Sequence, residues 1–122
     1  MVERWPDYFA AAAPIAGGGD PARASALTGL PVWAFHSADD PIVPVSASRD
    51  MIAAIRAAGG HPRYTEFTSA GHGSWLAPYG ILGQSSPTPD FYSWLFAQHR
   101  WQTARARVTG AAGVTATRQV GD

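Results

Sequence analysis

Two adjacent carboxylates and one imidazole stand out in this sequence for their types and spacing. Asp39 and Asp40 follow a short apolar run, residues 32–35, and His72 sits 32 positions after Asp40 in the stretch Thr68-Ser-Ala-Gly-His-Gly-Ser-Trp75. A carboxylate beside an imidazole suits general-base chemistry: the acid fixes the tautomer and stabilises the charged ring, and the ring takes a proton. Taken singly, each has an ordinary explanation, since Asp-Asp-Pro makes turns and caps and a His between glycines is a solvated turn residue. The pair gains weight from its separation, which is about what one helical crossover and one strand consume.

The elements around them follow the same logic. Residues 32–35, Val-Trp-Ala-Phe, read as a strand buried on both faces. Residues 46–58 read as a helix, with Ser46 at its start, Met51, Ile52 and Ile55 on one face, and Gly59-Gly60 at its C-cap. His61-Pro62 turns the chain, and residues 63–67 alternate as a near-edge strand does. Upstream, residues 2–9 resemble the last turn of a helix running into a Pro-Asp break. The small apolar residues 9–15 read as a buried strand, although their alanines suit a helix as well. Gly17-Gly-Gly-Asp20 lacks the Lys-Ser/Thr of a P-loop and the spacing of a dinucleotide fingerprint, and reads as a tight turn. Asp20 and Pro21 fit the N-cap and first position of a short helix over 21–28. Downstream, a Gly/Pro/Ser-rich connection reaches Pro89, and Asp90 caps a helix over 91–100. The order strand, helix, strand, helix, strand, helix predicts an α/β fold: a partial parallel sheet of about three strands with helices packed on it. Consecutive parallel strands end on one edge, so the Asp pair and His72 should emerge side by side.

Composition narrows the partners. A chain of 122 residues supports one domain with one modest core, here residues 1–100. Residues 101–122, rich in Ala, Gly, Thr, Val and Arg without periodicity, read as a linker or disordered tail. The nine basic residues are all Arg, scattered along the chain, and the net charge is +0, which argues against nucleic acid or an anionic membrane as partner. With no cysteine, there is no disulfide, thiolate zinc site or cysteine nucleophile. His36, His61, His72 and Asp40 lack a metal-ligand spacing, so no metal is expected. No apolar run has the length of a membrane span, and Met1-Val-Glu-Arg-Trp-Pro lacks the features of a signal peptide.

His36-Ser-Ala-Asp-Asp-Pro-Ile-Val-Pro44 resembles the His-Gly-x-x-Asp-x-x-Val-Pro segment of α/β-hydrolase serine esterases, and Ala70-Gly-His-Gly-Ser-Trp75 resembles their Gly-His loop. The likeness covers residues 5–100. It is greatest to the carboxylesterase, dienelactone-hydrolase and predicted-peptidase branch, in which a similar Gly-His-x-Ser-Trp is followed by a helix like Phe91-Tyr-Ser-Trp-Leu-Phe-Ala-Gln-His-Arg100. Trp5-Pro-Asp-Tyr-Phe-Ala-Ala and Pro14-Ile-Ala-Gly-Gly-Gly-Asp20 resemble the segment after the nucleophile helix in the same group. The resemblance implies a three-layer α/β-hydrolase fold, a small ester or peptide substrate and no cofactor. It assigns Asp40 as the triad acid and His72 as the base, and leaves Asp39 on a variable, solvated position. Trp75 becomes a candidate for the substrate pocket wall, with a buried packing Trp as the alternative.

Three departures qualify it. Ser37 stands where the family usually has Gly, and the connection over 76–89 is long. More seriously, such hydrolases need Gly-x-Ser-x-Gly on a strained strand-to-helix elbow, and the chain contains none. Ser37, Ser69 and Ser74 do not lie between glycines, Ser74 is too near His72 in sequence to face it, and Ser69, Ser85 and Ser86 read as loop serines. The family's order of Ser, acid, His then places the nucleophile upstream of Met1. The expected role is therefore the Asp–His part of a serine carboxylic-ester hydrolase, possessed by a chain that is inactive by itself. The alternative is a catalytically inactive remnant or interaction module that keeps the fold. In either case the first strand would present an unpaired apolar edge, an expected surface for self-association.

Overall fold

The computed structural model describes residues 1–79 and 88–100. At its centre is β1 (Trp33–Ser37), all five of whose residues are buried. It pairs in parallel with β2 (Arg63–Phe67), Trp33 opposite Arg63 and Ser37 opposite Phe67. The crossover between them is α1 (Ser46–Ala57), and α2 (Phe91–Phe96) closes the described part of the chain.

Strand alternation divides the core in two. Val32 packs with Met51 and Ile55 of α1 and with Ala24, Leu27 and Leu30. On the opposite face, Trp33 and Phe35 pack against Phe91, with Phe67, Trp94 and Leu95 around them. The sheet thus lies between α1 and α2. The second cluster is densely aromatic: the Phe35 and Phe91 rings meet edge to face at 5.3 Å and Trp33 meets Trp94 at 5.4 Å. Such pairs contribute about 0.5–1.5 kcal/mol each beyond the area they bury. The Arg63 guanidinium covers the Trp33 ring at 4.9 Å and reaches Asp90 at 3.3 Å. That exposed ion pair is worth about 0–1 kcal/mol, so the rings rather than the charges fasten α2 to the sheet.

The sheet has two strands where the sequence predicts about three. Residues 12–16 run along the other side of β1 but make only isolated parallel bridges, Ala12 with Val32 and Ile15 with Phe35. Four backbone hydrogen bonds hold them: Ala12 N–H to Pro31 C=O (2.9 Å), Trp33 N–H to Ala12 C=O (3.0 Å), Phe35 N–H to Pro14 C=O (2.9 Å) and Ala16 N–H to Phe35 C=O (2.9 Å). Pro14 has no N–H to extend a ladder. Ala16, at φ 50°, has left the extended region altogether.

Helix ends also differ from expectation for identifiable reasons. α1 begins after Val45, which makes no side-chain cap, and Ser46 does not cap it. Its C-terminus is a full Schellman motif, with Gly59 N–H on Arg56 C=O (3.0 Å) and Gly60 N–H on Ile55 C=O (2.9 Å). Gly59 sits at φ 96°, and a Cβ on Gly60 would fall 2.6 Å from Ile55 Cγ2, so both positions require glycine. The segment expected as a helix over 21–28 is a 3₁₀ helix, Pro21–Leu27, with Asp20 accepting from Ala22 N–H at 3.0 Å as predicted. α2 stops at Phe96 rather than continuing to residue 100, and Asp90 makes no side-chain cap because its carboxylate faces Arg63. Much of the long connection after residue 76, and the tail at 101–122, lie outside the described residues.

Phe35 is fully buried at the meeting point of β1, β2 and α2. Phe35→Ala should cost about 3–5 kcal/mol in urea unfolding, whereas Asp90→Ala should cost at most about 1 kcal/mol. Equal losses would show that α2 is held by charge rather than by rings.

Candidate active site

β1 and β2 are parallel neighbours, so the loops that leave them meet at one edge. The first loop carries Asp39 and Asp40. The second enters the 3₁₀ turn Gly71–Leu76, which carries His72. His72 Nδ1 lies 3.0 Å from Asp40 Oδ2 and 3.2 Å from Oδ1. Both oxygens are acceptors, so Nδ1 carries the hydrogen and donates it.

Asp40 makes more contacts than a pairwise partner would need. Its Oδ1 accepts the backbone N–H of Ile42 (2.8 Å) and of Val43 (2.9 Å), which folds the Asp-Pro-Ile-Val turn around the carboxylate. Its Oδ2 also faces Nε2 of His36 at 3.3 Å. The carboxylate side chain has no exposed surface, while the His72 imidazole is 38% exposed. Withdrawal from water on its own would raise the Asp40 pKa. The Val43 N–H, the His72 hydrogen bond, the Ile42 N–H and the His72 charge together outweigh it, bringing Asp40 from 3.8 down to about 2. The acid therefore stays ionised over the whole neutral range.

Asp39 is exposed to solvent, as its position suggests, but it also ties the two loops together. Its Oδ1 accepts the Ser37 hydroxyl at 2.5 Å, Gly71 N–H at 2.9 Å and Ala70 N–H at 3.2 Å. These bonds, the Ser37 hydroxyl foremost and then Gly71 N–H, hold its pKa below the ordinary 3.8. Ser37 Oγ in turn accepts Ala70 N–H at 2.8 Å, and Ala38 N–H bonds Phe67 C=O at 2.8 Å. The two loops are joined across the sheet edge, with Gly71 at φ 54° turning its N–H toward Asp39 and the chain toward Asp40. Ser37 is a fully buried part of that joint. The signal missed in the sequence was the hydroxyl itself, two residues before a carboxylate.

Trp75 stands edge to face with His72, the ring centroids 5.8 Å apart, and is 40% exposed. It flanks the imidazole at the surface rather than packing in the core. Among the serines, Ser37 is committed to Asp39, and Ser74 is fully buried with its hydroxyl unpartnered among the described residues. Ser85 and Ser86 lie outside the described residues. A cavity of about 430 Å³ lies elsewhere, between residues 11–19, Val32 and the Met51, Ile52 and Ile55 face of α1, and neither Asp40 nor His72 lines it. Among the described residues no group of three or more His, Cys, Asp or Glu could hold a metal ion, and no helix is long and apolar enough to cross a membrane.

No protein-family profile and no curated protein sequence matches the chain. Among solved structures it is similar to a thermostable esterase, at 36% identity and a TM-score of 0.70 over 80% of this chain. The match spans 26% of the esterase chain. The likeness supports an esterase-like α/β-hydrolase fold.

The depressed acids set the response to pH. Besides Asp40, Glu66 is lowered from 4.5 to about 2, chiefly by Arg49 and then by the Tyr64 hydroxyl. A carboxylate with a lowered folded pKa stabilises the fold fully above its unfolded value and loses that contribution as pH falls through the folded value. Stability should therefore be flat above about pH 5 and fall between about pH 4 and pH 2. Asp40→Asn should flatten that fall in tryptophan-monitored unfolding. An unchanged slope would mean that Asp40 is not charged and held in the fold.

Proposed function

We propose that the chain supplies the acid–base half of a serine hydrolase acting on carboxylic esters, with amide bonds as a second substrate class. The observation that carries this reading is the Asp40–His72 hydrogen bond at the ends of two adjacent parallel strands. The similarity to an esterase supports it. Asp40, ionised and shielded, holds Nδ1–H of His72 and stabilises the imidazolium that forms. Nε2 of His72 then accepts the proton from a serine hydroxyl as that oxygen attacks the carbonyl carbon. As the tetrahedral intermediate collapses, the same nitrogen gives that proton to the departing alkoxide, leaving an acyl-serine. It then takes a proton from water as the water oxygen attacks the acyl carbon, and returns it to the serine oxygen as the carboxylic acid is released. Trp75 forms a wall of the substrate pocket beside the imidazole. The reading needs a serine nucleophile and an oxyanion hole that the described residues do not supply.

A second reading is supported by the absence of Gly-x-Ser-x-Gly from these 122 residues. In it, the chain is a catalytically inactive remnant that keeps the fold and binds a partner, or a second copy of itself, along the outer edge of residues 12–15, the edge turned away from β1.

The coding sequence upstream of Met1 separates the two: an in-frame Gly-x-Ser-x-Gly favours the hydrolase and its absence favours the remnant. Expressed with such a segment, the chain should hydrolyse aryl esters and react with a fluorophosphonate probe. His72→Ala should abolish both, and Asp40→Asn should lower kcat by about 10⁴-fold. Trp75→Ala should act mainly on KM. Turnover indifferent to His72→Ala would sink the hydrolase reading.

A further inference from the structure

His36 is fully buried, and its two nitrogens join three segments of the chain. Nδ1 lies 2.7 Å from Ser48 Oγ of α1, and the same oxygen lies 2.7 Å from Gly17 C=O. Nε2 lies 3.0 Å from Val43 C=O and 3.3 Å from Asp40 Oδ2. Both of the latter are acceptors, so Nε2 carries a hydrogen pointed at the acid loop. A core histidine with satisfied nitrogens ordinarily does no more than fill space. Here one acceptor is the same carboxylate oxygen that holds His72. That oxygen is out of reach of water, so removing His36 leaves it under-compensated in a buried site, and leaves the Val43 carbonyl short of a donor.

We propose that His36 is a positioning residue: aimed by Ser48, its Nε2–H fixes Asp40 and the Val43 turn so that the carboxylate keeps its hold on Nδ1 of His72. The proposal rests on the hydrolase reading for its purpose but not for its geometry. It runs a continuous chain of contacts, from Gly17 C=O through Ser48, His36 and Asp40 to His72, along one end of the sheet. The orientation of the base is therefore set in part by α1, the element that carries Ser48. His36 does not meet substrate, and the consequence of losing it is a loosened acid rather than a missing one.

The test uses the whole 122-residue chain, labelled with ¹⁵N-histidine, and follows the His72 Nδ1–H proton, which resonates far downfield while it is held by a carboxylate. Glutamine can carry an amide N–H to the place of Nε2, whereas asparagine reaches only the place of Nδ1. His36→Gln should keep the His72 signal, and His36→Asn should lose it to solvent exchange while the amide resonances of β1, β2 and α1 stay in place. Retention of the signal in His36→Asn, its loss to the same extent in His36→Gln, or its absence from the unsubstituted chain would each overturn the proposal. Should His36→Asn fail to fold, Ser48→Ala decides: a weakened signal supports the proposal and an undiminished one overturns it. The proton needs no nucleophile to be seen, so the positioning role and the hydrolase assignment can fail independently.

Discussion

A carboxylate taken out of water must be compensated by donors brought to it, and the end of this sheet is arranged around that requirement at Asp40. Two backbone N–H groups, the His72 imidazole and the His36 imidazole converge on its two oxygens. Each donor comes from a different constraint. Ile42 and Val43 follow from the tight turn after Asp40, His36 from its place on β1, and His72 from the register of β2. None can move without leaving a buried charge under-compensated, so the donors hold the loop in place although it has no regular structure.

The scaffold serves the same end. Because β1 is buried on both faces, alternating side chains along it anchor two layers at once: Val32, just before the strand, and His36 toward α1, Trp33 and Phe35 toward α2. The aromatic cluster on the α2 side fixes the plane of the sheet, and the Schellman end of α1 returns the chain at the point from which β2 must start. Asp39 and Ser37 then join the two strand-end loops, so that the His72 turn is placed by hydrogen bonds to the first loop as well as by its own strand. Function and stability are coupled here through shared residues rather than through neighbouring ones.

In the proposed hydrolase this arrangement divides the work of a triad unevenly. The acid and base come preassembled from one crossover unit, with the base half exposed and flanked by Trp75. The nucleophile would arrive on a separate strand–helix elbow, so its geometry would be set against a pair that is already locked.

Sequence alone determined the α1 crossover between β1 and β2, their parallel relation, and the meeting of Asp40 with His72. All of these depend on local pattern and on the handedness of one crossover, which a single chain reveals. It did not determine the third strand, because a run of small apolar residues fits a strand pattern while Pro14 and the positive φ of Ala16 limit it to two bridges. It also missed the parts played by Asp39, Ser37 and His36. A side chain's hydrogen-bond partners 12, 31 or 33 residues away depend on which faces are buried together, and that is decided only when α1, β1 and the two loops are packed. Tertiary structure thus decided which carboxylate is sheltered and which ties the loops, since burial and the reach of a donor are properties of the assembled sheet edge rather than of residue type.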